Sequence, residues 1–227
     1  QAEGGDVLPL CVDVSDEKQV NGMVQAVLGR YQQIDLLFNN AGSFKAVGPL
    51  WEVDPSLWWQ DVTTNLRGVM LCCQAVLPHM MARNQGIIIN MDGGGGSHGP
   101  NVGGSGYGCS KAAVVRLTEG LAHELRQTGS AVLAFCMNPG FVWTGMTQYL
   151  ADTPERRQWQ PHVPLLRDSD EAHPPADCAK ATLKLLHIAS PELTGRVFYV
   201  DTDYEWVEKN KQYIENANLF VLNCKST

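Results

Sequence analysis

Short apolar runs alternate along the chain with longer segments in which apolar residues recur at helical spacing. The short runs predict five strands, at residues 7–12, 34–38, 86–91, 131–137 and 196–200. The longer segments predict four helices, at residues 16–31, 56–83, 107–127 and 175–189, the first with Ser15 as its N-cap. Short strands separated by helices are typical of βαβ units, so the pattern predicts an α/β fold with a parallel sheet covered on both faces.

The chain is predicted to form one domain over residues 1–227, because it shows no internal repeat, linker or low-complexity tail. Residues 141–173 are predicted to be irregular, with prolines at positions 154, 161 and 164. Residues 201–227 form a C-terminal tail.

Polar and glycine-rich clusters follow four of the predicted strands, at Asp13-Val14, Asn39–Gly42, Asp92–Gly99 and Asn138–Gly140. In open α/β sheets the ligand lies outside the carboxyl ends of the strands. The clusters therefore predict a binding crevice at that edge of the sheet.

Charge and cysteine usage exclude several classes of protein. The net charge of −7, without a basic run, argues against nucleic acid or an anionic membrane as a partner. No apolar stretch reaches the roughly 18 residues of a membrane span, and the first residues have no signal-peptide pattern. The seven cysteines form no Cys-x-x-Cys pair and no metal-ligand spacing, which indicates buried thiols in a reducing compartment. We expect a cytoplasmic protein without a metal site.

Tyr107 and Lys111 are the strongest chemical signal, since residues four apart share one face of a helix. An ammonium group at that spacing favours the phenolate and should lower the tyrosine pKa from about 10 toward working pH. A tyrosine in that state serves as a general acid or base. Taken alone, the pair also fits two side chains on a solvated helix face.

Two glycine-containing segments have structural as well as functional interpretations. The loop Gly94–Gly99 matches Gly-x-Gly-x-x-Gly, but Pro100 follows and no helix begins before about Tyr107, so we reject it as a phosphate loop and place it beside the reaction centre. Asn39–Gly42 and Pro139–Thr144 are either simple turns or places where the backbone approaches a flat ligand.

In combination these motifs resemble the short-chain dehydrogenase/reductase family, over residues 6–200. The resemblance rests on Asp13-Val14, Asn39-Asn40-Ala41-Gly42, Asn65 within Thr64–Gly68, Tyr107-x-x-x-Lys111, and Pro139-Gly140 with Thr144. Asp203-Tyr204-Glu205-Trp206 is similar to the C-terminal tail of bacterial-type members.

The resemblance implies a Rossmann-type doubly wound sheet that binds NAD or NADP, and hydride transfer between a carbonyl and an alcohol. By analogy Tyr107 exchanges the proton with the substrate, Lys111 lowers the tyrosine pKa and holds the nicotinamide ribose, and Asn65 positions a relay water. The implied cofactor contacts are Asp13, Val14, Asn40, Ala41, Gly42, Tyr107, Lys111, Pro139, Gly140, Val142 and Thr144.

Two departures from the family pattern are visible. The first two strands of the family and its glycine-rich phosphate loop do not precede Val7, so we expect an N-terminally truncated sheet from a fragmentary sequence. The substrate-binding serine of the family should fall near Gly93 or Gly94, or at Asp92, and no serine occupies these positions. Ser97 is the nearest hydroxyl and substitutes only if the loop folds back.

The expected substrate is an apolar carbonyl or alcohol, because Trp143, Met146, Tyr149 and Trp159 give the segment 141–173 an apolar inner face. The family resemblance also implies a homo-oligomer formed through helices 56–83 and 107–127. The alternative function is a catalytically impaired binding or assembly protein. An S-adenosylmethionine-dependent enzyme also uses an open α/β sheet, but it explains neither Tyr107 and Lys111 nor residues 39–42.

Overall fold

A computed structural model describes residues 4–222 and shows a parallel sheet in the order β1-β2-β3-β4. Its strands are β1 Leu36–Asn39, β2 Ile87–Met91, β3 Leu133–Asn138 and β4 Val197–Tyr199. The register pairs Asn39 with Asn90 and Asn90 with Cys136, so the carboxyl ends of the strands meet at one edge. The predicted parallel sheet is confirmed.

Helices cover both faces of this sheet. The longer ones are α1 Glu17–Tyr31, α2 Pro55–Val62, α3 Gly68–Arg83, α4 Ser105–Gln127 and α8 Pro175–Ile188. The shorter ones are α5 Gly145–Ala151, α6 Pro154–Trp159, α7 Val163–Leu166, α9 Tyr204–Lys209 and α10 Lys211–Asn216. One core cluster joins β2 and β3 to α1, α3 and α4, and a second joins them to α8, α9 and α10. The fold is a Rossmann-type doubly wound α/β arrangement, as predicted.

The predicted strand at 7–12 is wrong. This segment has no ladder partner among the described residues, and β1 forms an edge of the described sheet. Val7 is 54% and Leu10 42% exposed, while Val12 and Val14 pack beside the α1–α3 contact. An apolar run becomes a strand only where another strand pairs with it. The truncation of the sheet expected from the family stays a prediction.

The helix expected at 56–83 is interrupted by a π-helical turn at Thr63–Arg67. This turn separates α2 from α3, and Gly68 follows it where a Cβ would come within 2.8 Å of Val14. Single π turns inside helices occur often at functional sites, because the wider turn redirects side chains. Here the redirected side chain is that of Asn65.

Several helix ends also differ from the predictions. Asp16, not Ser15, caps α1 by accepting hydrogen bonds from the backbone of Lys18 and Gln19, whereas Ser15 donates to Asp13. Helix α4 begins at Ser105, two residues earlier than expected. The segment 141–173, predicted to be irregular, contains three short helices, and the tail contains α9 and α10.

Cysteines follow the prediction of buried thiols only in part. Cys72, Cys73 and Cys136 are buried, Cys178 is partly buried, and Cys11 and Cys109 are exposed. Cys224 lies outside the described residues. No described helix is long and apolar enough to cross a membrane.

A row of buried polar side chains crosses the sheet near its carboxyl edge. Asn39 donates to Asn90 over 2.8 Å, and Asn90 donates to the Thr118 hydroxyl of α4 over 2.9 Å. Asn90 is completely buried, so its amide satisfies two groups that water does not reach. This row ties β1, β2 and α4 together just beneath the crevice.

Replacing Asn90 should therefore destabilise the fold. Asn90→Leu keeps the branching of the side chain but leaves the Asn39 amide and the Thr118 hydroxyl without this partner, which we expect to lower the free energy of unfolding by about 3 kcal/mol. Urea denaturation measures the change. Asn21→Leu, on the exposed side of α1, is the matched control and should change it little. A loss below 1 kcal/mol in Asn90→Leu would contradict the proposed importance of the row.

Candidate functional site

A cavity of about 480 Å³ lies at the carboxyl edge of the sheet, where the sequence predicted a crevice. Its walls come from the segments that follow β1, β2 and β3 and from the covering segment α5–α7. Asp13-Val14 is the predicted cluster that does not line it. Tyr107 and Lys111 form part of its floor, so the structure brings the two strongest candidates together in one cavity.

Tyr107 lies in the first turn of α4, and its ring is fixed on two sides. The Phe44 ring stacks on it with centroids 4.6 Å apart and planes 11° from parallel. On the other side the hydroxyl lies against Gly93, where a Cβ would stand 2.3 Å from it. Only a residue without a side chain leaves the hydroxyl at this position.

Lys111 lies one helical turn beyond Tyr107 and is buried. Its ammonium group donates a 2.8 Å hydrogen bond to the Met91 carbonyl and lies 5.6 Å from the centre of the Tyr107 ring. Burial lowers the pKa of Lys111 to about 8, although the nearby Asp92 carboxylate acts in the opposite direction. The lysine is therefore close to half-protonated slightly above neutral pH.

The expected lowering of the tyrosine pKa is wrong for this structure. Burial, and after it the negative charges of Asp92 and Asp61, raise the pKa of Tyr107 well above its usual value of 10. The Lys111 ammonium faces the ring and does not offset these effects. Tyr107 is thus a phenol at neutral pH, a proton donor in its resting form.

Asn65 is held completely buried by the π turn. Its side-chain oxygen accepts from the Ser43 backbone over 2.7 Å, and its amide donates to the Ser43 carbonyl and to the Ser110 hydroxyl. Ser110 in turn donates to the Tyr107 carbonyl over 2.6 Å. Asn65 therefore fixes the first turn of α4, and the water it was expected to position stays a prediction.

Sequence reasoning missed Ser43, Ser110 and Asp61. Asp61 is completely buried in α2, and its carboxylate accepts from the backbone of Lys45 and Ala46. These bonds hold the loop that carries Phe44, the ring stacked on Tyr107. A carboxylate in a helix segment otherwise rich in tryptophan was the available signal.

Ser97, the candidate substitute for the missing serine, does not reach the cavity. The glycine-rich loop does fold back, but Ser97 donates to the Asp92 carboxylate and accepts from the Tyr199 hydroxyl over 2.9 Å. The loop runs through turns and bends until α4 begins, so it opens no helix at Gly99, as predicted. Gly93 and Gly94 line the cavity without a hydroxyl.

The expected cofactor contacts divide into two groups. Those that line the cavity are Asn40, Gly42, Tyr107, Lys111, Pro139, Gly140, Val142 and Thr144. Asp13, Val14 and Ala41 do not line it. Asp13 is exposed and engaged with Ser15 at the start of α1, where two hydrogen bonds from Ser15 hold the pKa of its carboxyl below the usual value.

The cavity residues fit the nicotinamide half of a dinucleotide. At Gly42 a Cβ would come within 3.4 Å of Asn65 and 3.6 Å of Met146, so the wall is flat there because a side chain is absent. Gly140 has a φ of +67°, a backbone angle that glycine adopts without strain. A Cβ at this position would also collide with the His173 ring. Flat walls beside a lysine and an asparagine suit an aromatic ring that carries a ribose.

Comparison with known proteins adds independent information. A family model described as short chain dehydrogenase matches residues 1–155. The 3-oxoacyl-[acyl-carrier-protein] reductase FabG of Staphylococcus aureus (strain Mu50) is 31% identical over 201 residues, which cover 88% of this chain and 78% of that protein. The (2S)-[(R)-hydroxy(phenyl)methyl]succinyl-CoA dehydrogenase subunit BbsD of Thauera aromatica is 34% identical over 203 residues, covering 88% and 76%.

Two solved structures of similar proteins also superpose on this chain. A short chain dehydrogenase/reductase from Burkholderia phymatum, in complex with NAD, superposes with a TM-score of 0.75 at 26% identity, covering 100% of this chain and 82% of that one. Levodione reductase superposes with a TM-score of 0.75 at 29% identity, covering 88% and 78%.

Burial of Lys111 predicts a pH dependence of stability. Its pKa in the folded protein, about 8, lies below the ordinary 10.5. Between these two pH values the unfolded chain holds a proton that the folded protein lacks, so this residue makes stability rise with pH. Relative to Lys111→Met, the wild type should gain up to about 3 kcal/mol across that window.

Urea denaturation of both proteins at several pH values tests this. Cys73 and Cys136, whose thiol pKa values burial raises to about 12, act in the opposite direction but are present in both proteins. Lys184→Met, which removes an exposed lysine, is the control variant. A difference between the wild type and Lys111→Met that does not change with pH would contradict the buried-lysine assignment.

Proposed function

This chain belongs to the short chain dehydrogenase/reductase family, and we propose that Tyr107 is its general acid and base at the cavity. As a member of that family it is an NAD(P)-dependent oxidoreductase acting on CH–OH and C=O groups. The observation that carries the assignment of the site is that the Tyr107 hydroxyl lies against Gly93, while Gly93, Tyr107 and Lys111 all line the same cavity.

Proton transfer is the part of the reaction that this chain's residues perform. When bound, NAD(P)H supplies the hydride that the carbonyl carbon accepts. Tyr107 donates its proton to the carbonyl oxygen as that oxygen gains negative charge, and the product is the alcohol. Tyr107 holds its proton on the phenol at neutral pH before the reaction, as a proton donor in the reductive direction must.

Lys111 is proposed to stabilise the tyrosinate that this step leaves behind and to bind the nicotinamide ribose. Its buried ammonium makes its protein hydrogen bond to Met91, which leaves two further N–H donors for a ribose hydroxyl and a proton-relay water. Asn65 is proposed to hold that water, while its side chain anchors the first turn of α4 through Ser110. Since Gly93 supplies no hydroxyl, Tyr107 is the proposed donor to the substrate oxygen.

The substrate is proposed to be an apolar carbonyl compound. The apolar side chains that line the cavity include Phe44, Phe141, Met146, Leu150 and Val163. Of the predicted apolar covering residues only Met146 lines this cavity, whereas Trp159 packs against Gly103 and lies beside a neighbouring cavity. Two of the similar proteins are named as reductases, of 3-oxoacyl-[acyl-carrier-protein] and of levodione, which supports a carbonyl substrate.

The chain is further proposed to form a homo-oligomer through α2–α3 and α4. Three large apolar side chains on α2 and α3 are exposed, namely Trp59, Met70 and Met81. Apolar side chains of this size on an exposed helix pair suit an interface between subunits.

Tyr107→Phe should abolish turnover without loss of cofactor binding. Removing a general acid costs about 10²–10⁴-fold in rate, while the phenylalanine ring still stacks on Phe44. Turnover is measured by the absorbance of NADH or NADPH with a panel of aromatic and aliphatic ketones, and affinity by cofactor fluorescence. Tyr213→Phe, on exposed α10, is the control. Wild-type rates in Tyr107→Phe would refute the assignment, and absence of turnover in the wild type with every ketone would favour the binding-protein alternative.

Gly93→Ala should disturb the same hydroxyl. The added Cβ would stand 2.3 Å from it, so the ring must move away, and a displacement of about 1 Å at the reacting group costs about 10²-fold in rate. Thermal denaturation should show little change, because the displaced group is a side-chain end. Gly99→Ala adds a methyl group where no atom lies within 4 Å and is the matched control. Equal turnover in both variants would mean that Gly93 does not set the tyrosine position.

A further inference from the structure

Asp92 is a buried carboxylate at one of the positions where the family pattern expects its serine, and the proposed reaction gives it no role. It follows β2 directly and is 2% exposed. One carboxylate oxygen accepts hydrogen bonds from the Asn138 amide over 3.0 Å and from the hydroxyl and backbone of Ser97. The other oxygen has no hydrogen-bond partner among the described residues. It points at Gly96, where a Cβ would come within 1.8 Å of it.

Asp92 stands between two residues that contact the proposed proton-transfer pair, Tyr107 and Lys111. The residue before it, Met91, accepts the hydrogen bond from the Lys111 ammonium. The residue after it, Gly93, contacts the Tyr107 hydroxyl. Asp92 therefore lies between the two residues that contact Lys111 and Tyr107, and it lines the same cavity.

The ionisable groups that act on this pair are Asp61 of α2, Asp92 after β2 and Cys136 of β3. Tyr199 of β4 faces Asp92 through Ser97, and the His98 ring contacts the Tyr199 ring. Burial raises the pKa of the Cys136 thiol to about 12 and raises the pKa of Tyr199, so both are neutral at pH 7. Asp61 acts on Tyr107, whereas Asp92 acts on both Tyr107 and Lys111.

We propose that Asp92 is a positioning residue whose negative charge favours the ammonium form of Lys111 at neutral pH and opposes ionisation of Tyr107. The residue does this without touching the substrate, through the electrostatic field in a water-poor site. Its catalytic consequence rests on the proposed function, but its effect on Lys111 does not.

A purely mechanical role is the competing explanation. Through Ser97 and Asn138 the carboxylate also fastens the glycine-rich loop to β3, and the Tyr199 hydroxyl extends this network to β4. Substitutions separate the two roles, because Asp92→Asn removes the charge but keeps the shape, whereas Ser97→Ala removes the fastening hydroxyl but keeps the charge.

The deciding measurement is the titration of Lys111 in protein labelled with [13C]lysine and free of cofactor. NMR follows its Cε resonance, identified by its absence in Lys111→Met. In Asp92→Asn the midpoint should fall by about one pH unit, the low end of the effect of one adjacent opposite charge. Asp92→Ser, a second neutral replacement, should give the same fall if the asparagine variant does not fold. Ser97→Ala should leave the midpoint in place.

Turnover provides an independent readout. The loss of activity toward high pH, where Lys111 gives up its proton, should move to lower pH in Asp92→Asn by the same amount as the NMR midpoint. An unchanged Lys111 midpoint in the neutral variants, or an equal fall in Ser97→Ala, would overturn the proposal. Because the NMR titration needs no substrate, it remains decisive even if the proposed reaction fails.

Discussion

The contact between the Tyr107 hydroxyl and the Cα of Gly93 is the constraint on which the rest of the site depends. It joins the first turn of α4 to the end of β2, so the phenol stands where residue 93 would otherwise project a side chain. A Cβ at residue 93 would collide with this hydroxyl, so the tyrosine position requires glycine there.

Buried polar groups keep that contact in place. The Asn39–Asn90–Thr118 row fixes α4 against the strands from below, and Asn65 fixes its first turn from the side through Ser110. Such groups are costly to bury unless every partner is present, so they specify one arrangement of α4 more sharply than apolar contacts alone. The π turn contributes to this arrangement of α4, because it directs the Asn65 side chain inward.

Local periodicity made most of the fold predictable from the sequence. The positions of β2, β3, α4 and α8 follow from apolar spacing within each segment, and the shared face of Tyr107 and Lys111 follows from the helical repeat. Features that depend on distant partners were not predictable in this way. Residues 7–12 are apolar but lack a partner strand in the described structure, and Asp61, Ser43 and Ser110 acquire their roles only through contacts with segments far away along the chain.

The sign of the tyrosine pKa shift illustrates the same limit in electrostatic terms. Spacing along a helix predicts that Lys111 stabilises the phenolate, but spacing does not reveal burial or the two carboxylates that the fold brings to the phenol. In the structure burial disfavours the charged forms of both Tyr107 and Lys111. The negative charge of Asp92 then affects the two groups differently, because it favours the Lys111 ammonium and opposes the Tyr107 phenolate. The result is a neutral proton donor beside a cation. This is the charge state from which a carbonyl oxygen can be protonated, so a carboxylate at the end of β2 is compatible with reduction.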